Sequence, residues 1–375
     1  MTATRLPRPL HPVAWWLWAL GLATAASRTT NPILLTLVMV VAGYVVVARR
    51  STAPWAKAYG VFVRLAIFVL VLRLLLEVLF GNSFGGTVLL HLPSLPLPDW
   101  MAGVRIGGDL TREAFAFALY DGLRLAALLI CVGAANSLAS PARLLKSLPA
   151  ALYEIGVVIT VAASFAPQAV TSLGRIREAR RLRGRRVRGL RAVRGLALPV
   201  LEGALERSVD LAAAMDSRGF GRRGESSPRT RRVGAALGLA GLLAVLGSSY
   251  GLLDPGSPGL LGIPLLVTGA LVATAGMLVS SRSSQRTRYR PDPWRWPEWV
   301  VAGSGITAAV ALTVARAQGV DGLSPSTAPL VMPTLPLLPM LGILVGLLPA
   351  VAAPPVTAPR ARTTPTPRLD EAVAA

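Results

Sequence analysis

Apolar runs of about 18 to 25 residues with few charges recur along this 375-residue chain, and no other feature restricts its fold so severely. At 1.5 Å of rise per residue, a helix of that length crosses roughly 30 Å of hydrocarbon, where no water can satisfy backbone N–H and C=O groups. Residues 259–279 are apolar at nearly every position, and the ten-residue alternation that builds an outer-membrane barrel is missing. With 53% of residues hydrophobic and 15% charged, and a mean hydropathy of +0.56, the average residue favours an apolar solvent. The sequence predicts an all-α fold: a polytopic membrane helical bundle with about eight transmembrane helices.

The expected spans are Val13 to Ala26, Pro32 to Ala48, Tyr59 to Phe80, Thr111 to Ala135, Val233 to Leu253, Gly259 to Ser280, Trp299 to Ala317 and Leu330 to Val351. Trp15 and Trp16 suit an interfacial anchor, and the next span starts at once at Pro32, which favours a helical hairpin over a cleaved signal segment. Net charge is +21, and its first consequence is orientation, because Lys and Arg stay in cytoplasmic loops. With eight spans, Arg5 and Arg8, the Arg49, Arg50 and Lys57 loop, residues 143–232, the 282–295 linker and Arg360, Arg362 and Arg368 all fall inside. Both termini are then cytoplasmic, in a multi-pass cell-membrane protein. Residues 151–170 are also apolar, but Arg143 and Lys146 precede them and Arg175 to Arg183 follow, so this segment reads as an interfacial or partly embedded helix. The outer loop, 81–109, with Pro93, Pro96 and Pro98, reads as a structured cap, and the Pro- and Thr-rich tail as disordered. The expected organisation is 1–140 as N-terminal spans, 141–232 as a cytoplasmic arm, 233–353 as C-terminal spans and 354–375 as the tail.

Within the arm the pattern becomes amphipathic, and two helices are predicted. In the first, from about Pro167 to Leu182, Val170, Leu173, Ile176 and Ala179 recur every three residues among arginines. The second, from about Pro199 to Gly219, places Leu201, Leu205, Val209 and Ala212 on one stripe beside Glu202, Glu206 and Asp210. Their ends match: Leu182-Arg183-Gly184 and Ser217-Arg218-Gly219. Arginine in a last turn complements the helix dipole, glycine lets the chain turn away, and the guanidinium projects for bidentate pairing with a carboxylate.

Several of these residues resemble the CbiQ family, the transmembrane T components of energy-coupling factor (ECF) transporters. The resemblance rests on His11-Pro12, Thr30-Asn31-Pro32, Gly108-Asp109-Leu110-Thr111-Arg112 and Gly122-Leu123-Arg124-Leu125-Ala126-Ala127. More specific are Glu178-Ala179-Arg180-Arg181-Leu182-Arg183-Gly184 and Ala213-Ala214-Met215-Asp216-Ser217-Arg218-Gly219-Phe220, which resemble the family's two Ala-Arg-Gly coupling motifs with Leu182 and Ser217 in place of the alanines. The resemblance implies a non-catalytic subunit that joins two cytoplasmic ABC ATPases to a membrane-embedded substrate-binding S component, for uptake of a vitamin or transition-metal ion. Ala179, Arg183, Gly184, Ala214, Ser217, Arg218 and Gly219 would couple to the ATPases. Leu173, Ile176, Leu201, Leu205 and Val209 would hold the S component. Four spans after the second motif exceed what that family leads one to expect.

Two other classes compete. A stand-alone secondary transporter would use the intramembrane charges Arg73, Glu77, Asp121 and Arg124, for which the spacing alone predicts Arg73–Glu77 and Asp121–Arg124 pairs. A membrane-anchored protein would bind anionic lipid or nucleic acid through residues 175–194. On the first reading the bilayer is a partner and nucleic acid is not. No cofactor is implied: the sequence holds no Walker lysine motif, no Ser-His-Asp set and no cysteine pair, and Cys131 reads as a small buried hydrophobe. His11 and His91 lie near opposite faces and make no metal site.

Overall fold

A computed structural model describes residues 9–51, 54–80, 86–91, 95–96, 105–147, 153–183, 190–220, 227–254, 256–281 and 292–354. Twelve α-helices run through them: α1 (Pro12–Ser27), α2 (Pro32–Arg49), α3 (Ala58–Phe80), α4 (Arg112–Leu138), α5 (Pro141–Lys146), α6 (Tyr153–Leu182), α7 (Leu190–Ser217), α8 (Pro228–Leu253), α9 (Ile263–Ser281), α10 (Trp296–Ala317), α11 (Leu337–Val345) and α12 (Pro349–Ala352). Among the described residues, six helical segments are long and apolar enough to cross a membrane: Pro32–Arg49, Arg112–Leu138, Ile155–Leu182, Pro228–Leu253, Gly259–Ser280 and Trp296–Ala317.

This set overlaps the predicted one without matching it. Five of the eight expected spans recur in it, whereas α1 has 16 residues, α3 carries Arg64, Arg73 and Glu77, and the last span is divided between α11 and α12. The added segment is Ile155–Leu182. Residues 151–170 were expected to form an interfacial helix distinct from a coupling helix. From Tyr153 onward they instead continue unbroken through Pro167 to Leu182. Pro167 removes one backbone donor but does not end the helix. Likewise α7 starts at Leu190 rather than Pro199, which lies inside it. The fold is not purely α either, since the segment between α3 and α4 holds two short antiparallel ladders. There β1 (Val88–His91) pairs with β4 (Asp109–Thr111), and β2 (Leu95–Pro96) with β3 (Arg105–Ile106). The Gly107 N–H donates to the Leu79 carbonyl at 2.8 Å and the Arg112 N–H to Thr87 at 3.0 Å, tying this cap to the ends of α3 and α4. The tail beyond residue 354 lies outside the described residues.

The chain divides into two compact units, 1–144 with 292–375, and 145–291. The division does not follow the expected boundary at residue 233: α10 and α11 belong with α1 and α2, not with α8 and α9. In the first unit α4 packs on α1, α2 and α3, while α10 packs on α1 and α11. Trp18, Leu22, Leu34, Leu35, Val38, Val41, Val45, Leu312 and Ile343 are fully buried there, and Cys131 lies in the same core.

Lipid tails are as apolar as leucine, so between spans close contact matters more than apolar burial. Gly21 and Gly305 supply it, since a Cβ on Gly21 would overlap the Gly305 backbone and one on Gly305 would overlap Trp18. In the second unit α8 and α9 use the same device, with Gly241 against Ala273, Gly276 against Gly238 and Gly269 against Ala244 and Val245.

One buried polar clasp fixes the α1–α2 turn. The Asn31 side-chain NH2 donates to the carbonyls of Gly322 (2.6 Å) and Thr334 (2.7 Å), while its Oδ1 accepts from the Ile33 N–H (2.9 Å) and so caps α2. Thr29 Oγ1 donates to Leu323 at 2.6 Å and accepts from the Asn31 N–H, and the Thr30 N–H also reaches the Leu323 carbonyl. At the opposite end of the unit, Arg143 donates to the Leu10 carbonyl and pairs with Asp292 at 2.8 Å, and His11 packs against Trp294.

Two outcomes follow for thermal unfolding in detergent. Asn31→Ala leaves two loop carbonyls unpaired and lowers stability by about 1 to 3 kcal/mol. Gly305→Val forces α1 and α10 apart at a cost of roughly 1 to 3 kcal/mol, and an unchanged Tm for either variant would contradict the packing described.

Candidate functional site

In the second unit α6 and α7 pack together, pinned by a bond from the Arg207 guanidinium to the buried Ser172 hydroxyl at 3.1 Å. Sequence reasoning missed this pin, because one serine among arginines carries no distinctive signal. The two predicted arginines stand at the C-terminal ends of the two helices. Arg183 follows the last residue of α6, is exposed, and its N–H still donates to the Ala179 carbonyl at 3.2 Å. Leu182 beside it is 90% exposed, and Ala179 is exposed too. Gly184 lies outside the described residues.

The end of α7 is resolved in full. Gly219 has φ +70°, a left-handed conformation that side chains with a Cβ rarely adopt. Its N–H donates to Asp216 at 2.8 Å and the Phe220 N–H donates to Met215 at 2.9 Å, the paired bonds of a Schellman cap. Arg218 is the residue at which this cap turns the chain. It is exposed, as are Ala214 and Ser217, and the Ser217 hydroxyl is satisfied locally by the Ala214 carbonyl at 3.0 Å. Among the described residues neither Arg183 nor Arg218 pairs with a carboxylate.

The apolar stripe assigned to an S component stays uncovered. Leu201, Leu205 and Val209 are 59%, 66% and 67% exposed, one turn apart on α7; Leu173 on α6 is exposed and Ile176 half-buried. A helix face with leucines and valine open to its surroundings is a contact face, for lipid or for another helix.

The charges expected within the membrane lie in the first unit, and one expected pair is absent. Arg73 does pair with Glu77 at 2.8 Å, but Asp121 also turns to Arg73, whose Nε it meets at 3.2 Å. Arg124, expected beside Asp121, donates instead to the backbone carbonyl of Ser27. Residue spacing within one helix favoured Asp121–Arg124, whereas packing of α4 on α3 brings Asp121 to the neighbouring helix. The Phe117 ring lies 5.8 Å from the Arg73 guanidinium carbon and completes the group. A secondary transporter would need such charges to line a path, but Arg73, Glu77 and Asp121 are engaged with one another at the α3–α4 seam and Arg124 with a backbone carbonyl. Among the described residues no three His, Cys, Asp or Glu side chains are placed to hold a metal ion.

The residues of the resemblance have structural roles. His11 Nδ1 accepts from the Val13 N–H, Asn31 from Ile33 and Thr111 from Ala114, so each caps a helix, with proline first in α1 and α2.

Helices of this length and apolarity define a multi-pass membrane protein. A family model described as Cobalt transport protein, CbiQ, matches residues 4–229. The match takes in more than half of the chain, which belongs to this family and is a component of a membrane transport system. A search of curated proteins found no match. The matched region contains both arginine-tipped helices and stops as α8 begins.

At the α3–α4 seam, Arg73→Met leaves Glu77 and Asp121 without their cation and destabilises the first unit by about 3 kcal/mol. Adding Glu77→Gln and Asp121→Asn restores most of the loss, as read by unfolding in detergent.

Proposed function

We propose that this chain is the energy-coupling T subunit of an ECF-type ABC importer in the cell membrane. It transmits ATP-driven motion of two cytoplasmic ATPases to a substrate-binding S component that takes up a vitamin or transition-metal ion. The single observation that supports this most is the pair of helices α6 and α7, packed together, each closed by an exposed arginine free of any internal carboxylate among the described residues. An arginine at a helix end, with its turn fixed by backbone hydrogen bonds, is presented to a partner at little cost in conformational freedom. Planar guanidinium suits bidentate pairing with an acidic groove on each ATPase. The membership of the family, whose matched region spans both motifs, supports the same reading.

In this mechanism the chain performs no chemistry. Closure of the ATPases on nucleotide displaces the two arginine tips; α6 and α7 carry the displacement as rigid levers. Leu173, Ile176, Leu201, Leu205 and Val209 pass it to the S component, the occupant of the open stripe. The termini and the end of the first unit bearing Arg49, Arg143 and Asp292 face the cytoplasm.

Charge-assisted bonds contribute about 1.5 to 3 kcal/mol each, so the double variant Arg183→Ala, Arg218→Ala should weaken ATPase association on the order of a hundredfold or more. Membrane insertion and Tm stay as in the parent chain. Co-purification from membranes co-expressing the ATPases measures the effect, and a double variant that still assembles and supports uptake would refute the assignment. Gly219→Val, which cannot hold φ +70° without strain, should weaken association while leaving both arginines in place.

A further inference from the structure

The nine residues from Arg175 to Arg183 hold five arginines and one acid, Glu178. Glu178 is three positions from both Arg175 and Arg181, a spacing at which helical side chains meet. It pairs with neither, and among the described residues Arg175, Arg177 and Arg181 have no carboxylate partner at all. Nor does the neighbouring helix neutralise them. Glu202, Glu206 and Asp210 on α7 are exposed, and the side-chain bond between the two helices runs from Arg207 to the neutral Ser172 hydroxyl. Among the described residues these arginines therefore have no internal counterion.

Position along the helix separates Arg175 and Arg177 from the tip. Arg175 lies eight residues before Arg183, about 12 Å along the axis at 1.5 Å per residue. It stands where the apolar part of Ile155–Leu182 gives way to charge, as does Arg177. Direction separates Arg181, which is two residues and about 200° around the helix from Arg183. At about 100° per residue, Arg177 and Arg181 project on the side of α6 opposite Arg175. A groove on a folded partner engages one face of a helix; phospholipid headgroups at the edge of the hydrocarbon surround it.

We propose that Arg175, Arg177 and Arg181 form a collar that binds the headgroups of anionic phospholipids. The collar fixes the end of α6 where it leaves the hydrocarbon, while Arg183 stays available at the tip. The collar itself depends only on α6 meeting the bilayer; its consequence for coupling rests on the function proposed above.

The test uses the full chain in nanodiscs of equal parts phosphatidylglycerol and phosphatidylcholine, with benzoylphenylalanine at Gly174. That position is exposed and nothing lies within 4 Å of a Cβ placed there. After irradiation, mass spectrometry of the captured lipid should give a phosphatidylglycerol excess of about threefold or more. The excess should vanish in the triple variant Arg175→Gln, Arg177→Gln, Arg181→Gln, while that variant keeps its Tm and its association with the ATPases. Capture at the bulk ratio by the parent chain would overturn the collar, as would an excess that survives the triple variant. Displacement of the excess by inorganic phosphate, or capture of nucleic acid or protein in place of lipid, would overturn it equally. Lipid preference with no ATPase association would count against the coupling reading alone.

Discussion

Absence of water from the hydrocarbon is the constraint on which the rest of this structure depends. Every polar group taken into that layer has to be satisfied from within the chain. Long helices answer for the backbone, and caps answer for the helix starts: His11, Asn31 and Thr111 each accept from an N–H of the first turn. The same necessity draws Glu77 and Asp121 to a single arginine and closes Asn31 over two carbonyls of a distant loop. These residues look like sequence signatures, yet each is first an answer to a missing solvent.

Where polar groups are not at issue, proximity replaces hydrophobicity as the organising force. Glycine against backbone joins α1 to α10 and α8 to α9, so the two units use one packing device in separate cores. The arm is built differently. Its helices touch over a limited area and keep their leucines, valines and arginines outward.

Membrane character was legible from run length alone, and the ends of α6 and α7 could be read from Arg-Gly pairs, because glycine at a helix end has a local backbone cause. The starts of the same helices could not. Pro167 and Pro199 suggested boundaries, but the cost of an interior proline, a lost bond and a ring–carbonyl clash, stays local, and flanking turns carried the helix through. Charge counting placed 151–170 at the surface, whereas the helix that contains them has the length and apolarity of a span. Asp121 shows the limit of spacing arguments: a partner on the same helix was nearer in sequence, and a partner on α3 was nearer in space. The return of residues 292–354 to α1 and α2 left no local trace, since long-range helix contacts through glycine are invisible in a linear pattern.

That return has a consequence for how the protein comes into being. Helix α1 has as a principal neighbour one that starts at Trp296, some 270 residues after α1 ends. At about 5 to 20 residues per second, its glycine face waits on the order of ten seconds or more in the bilayer before the matching helix arrives. A nascent chain stalled before α10 is an incomplete bundle that lacks the partner of the α1 glycine face.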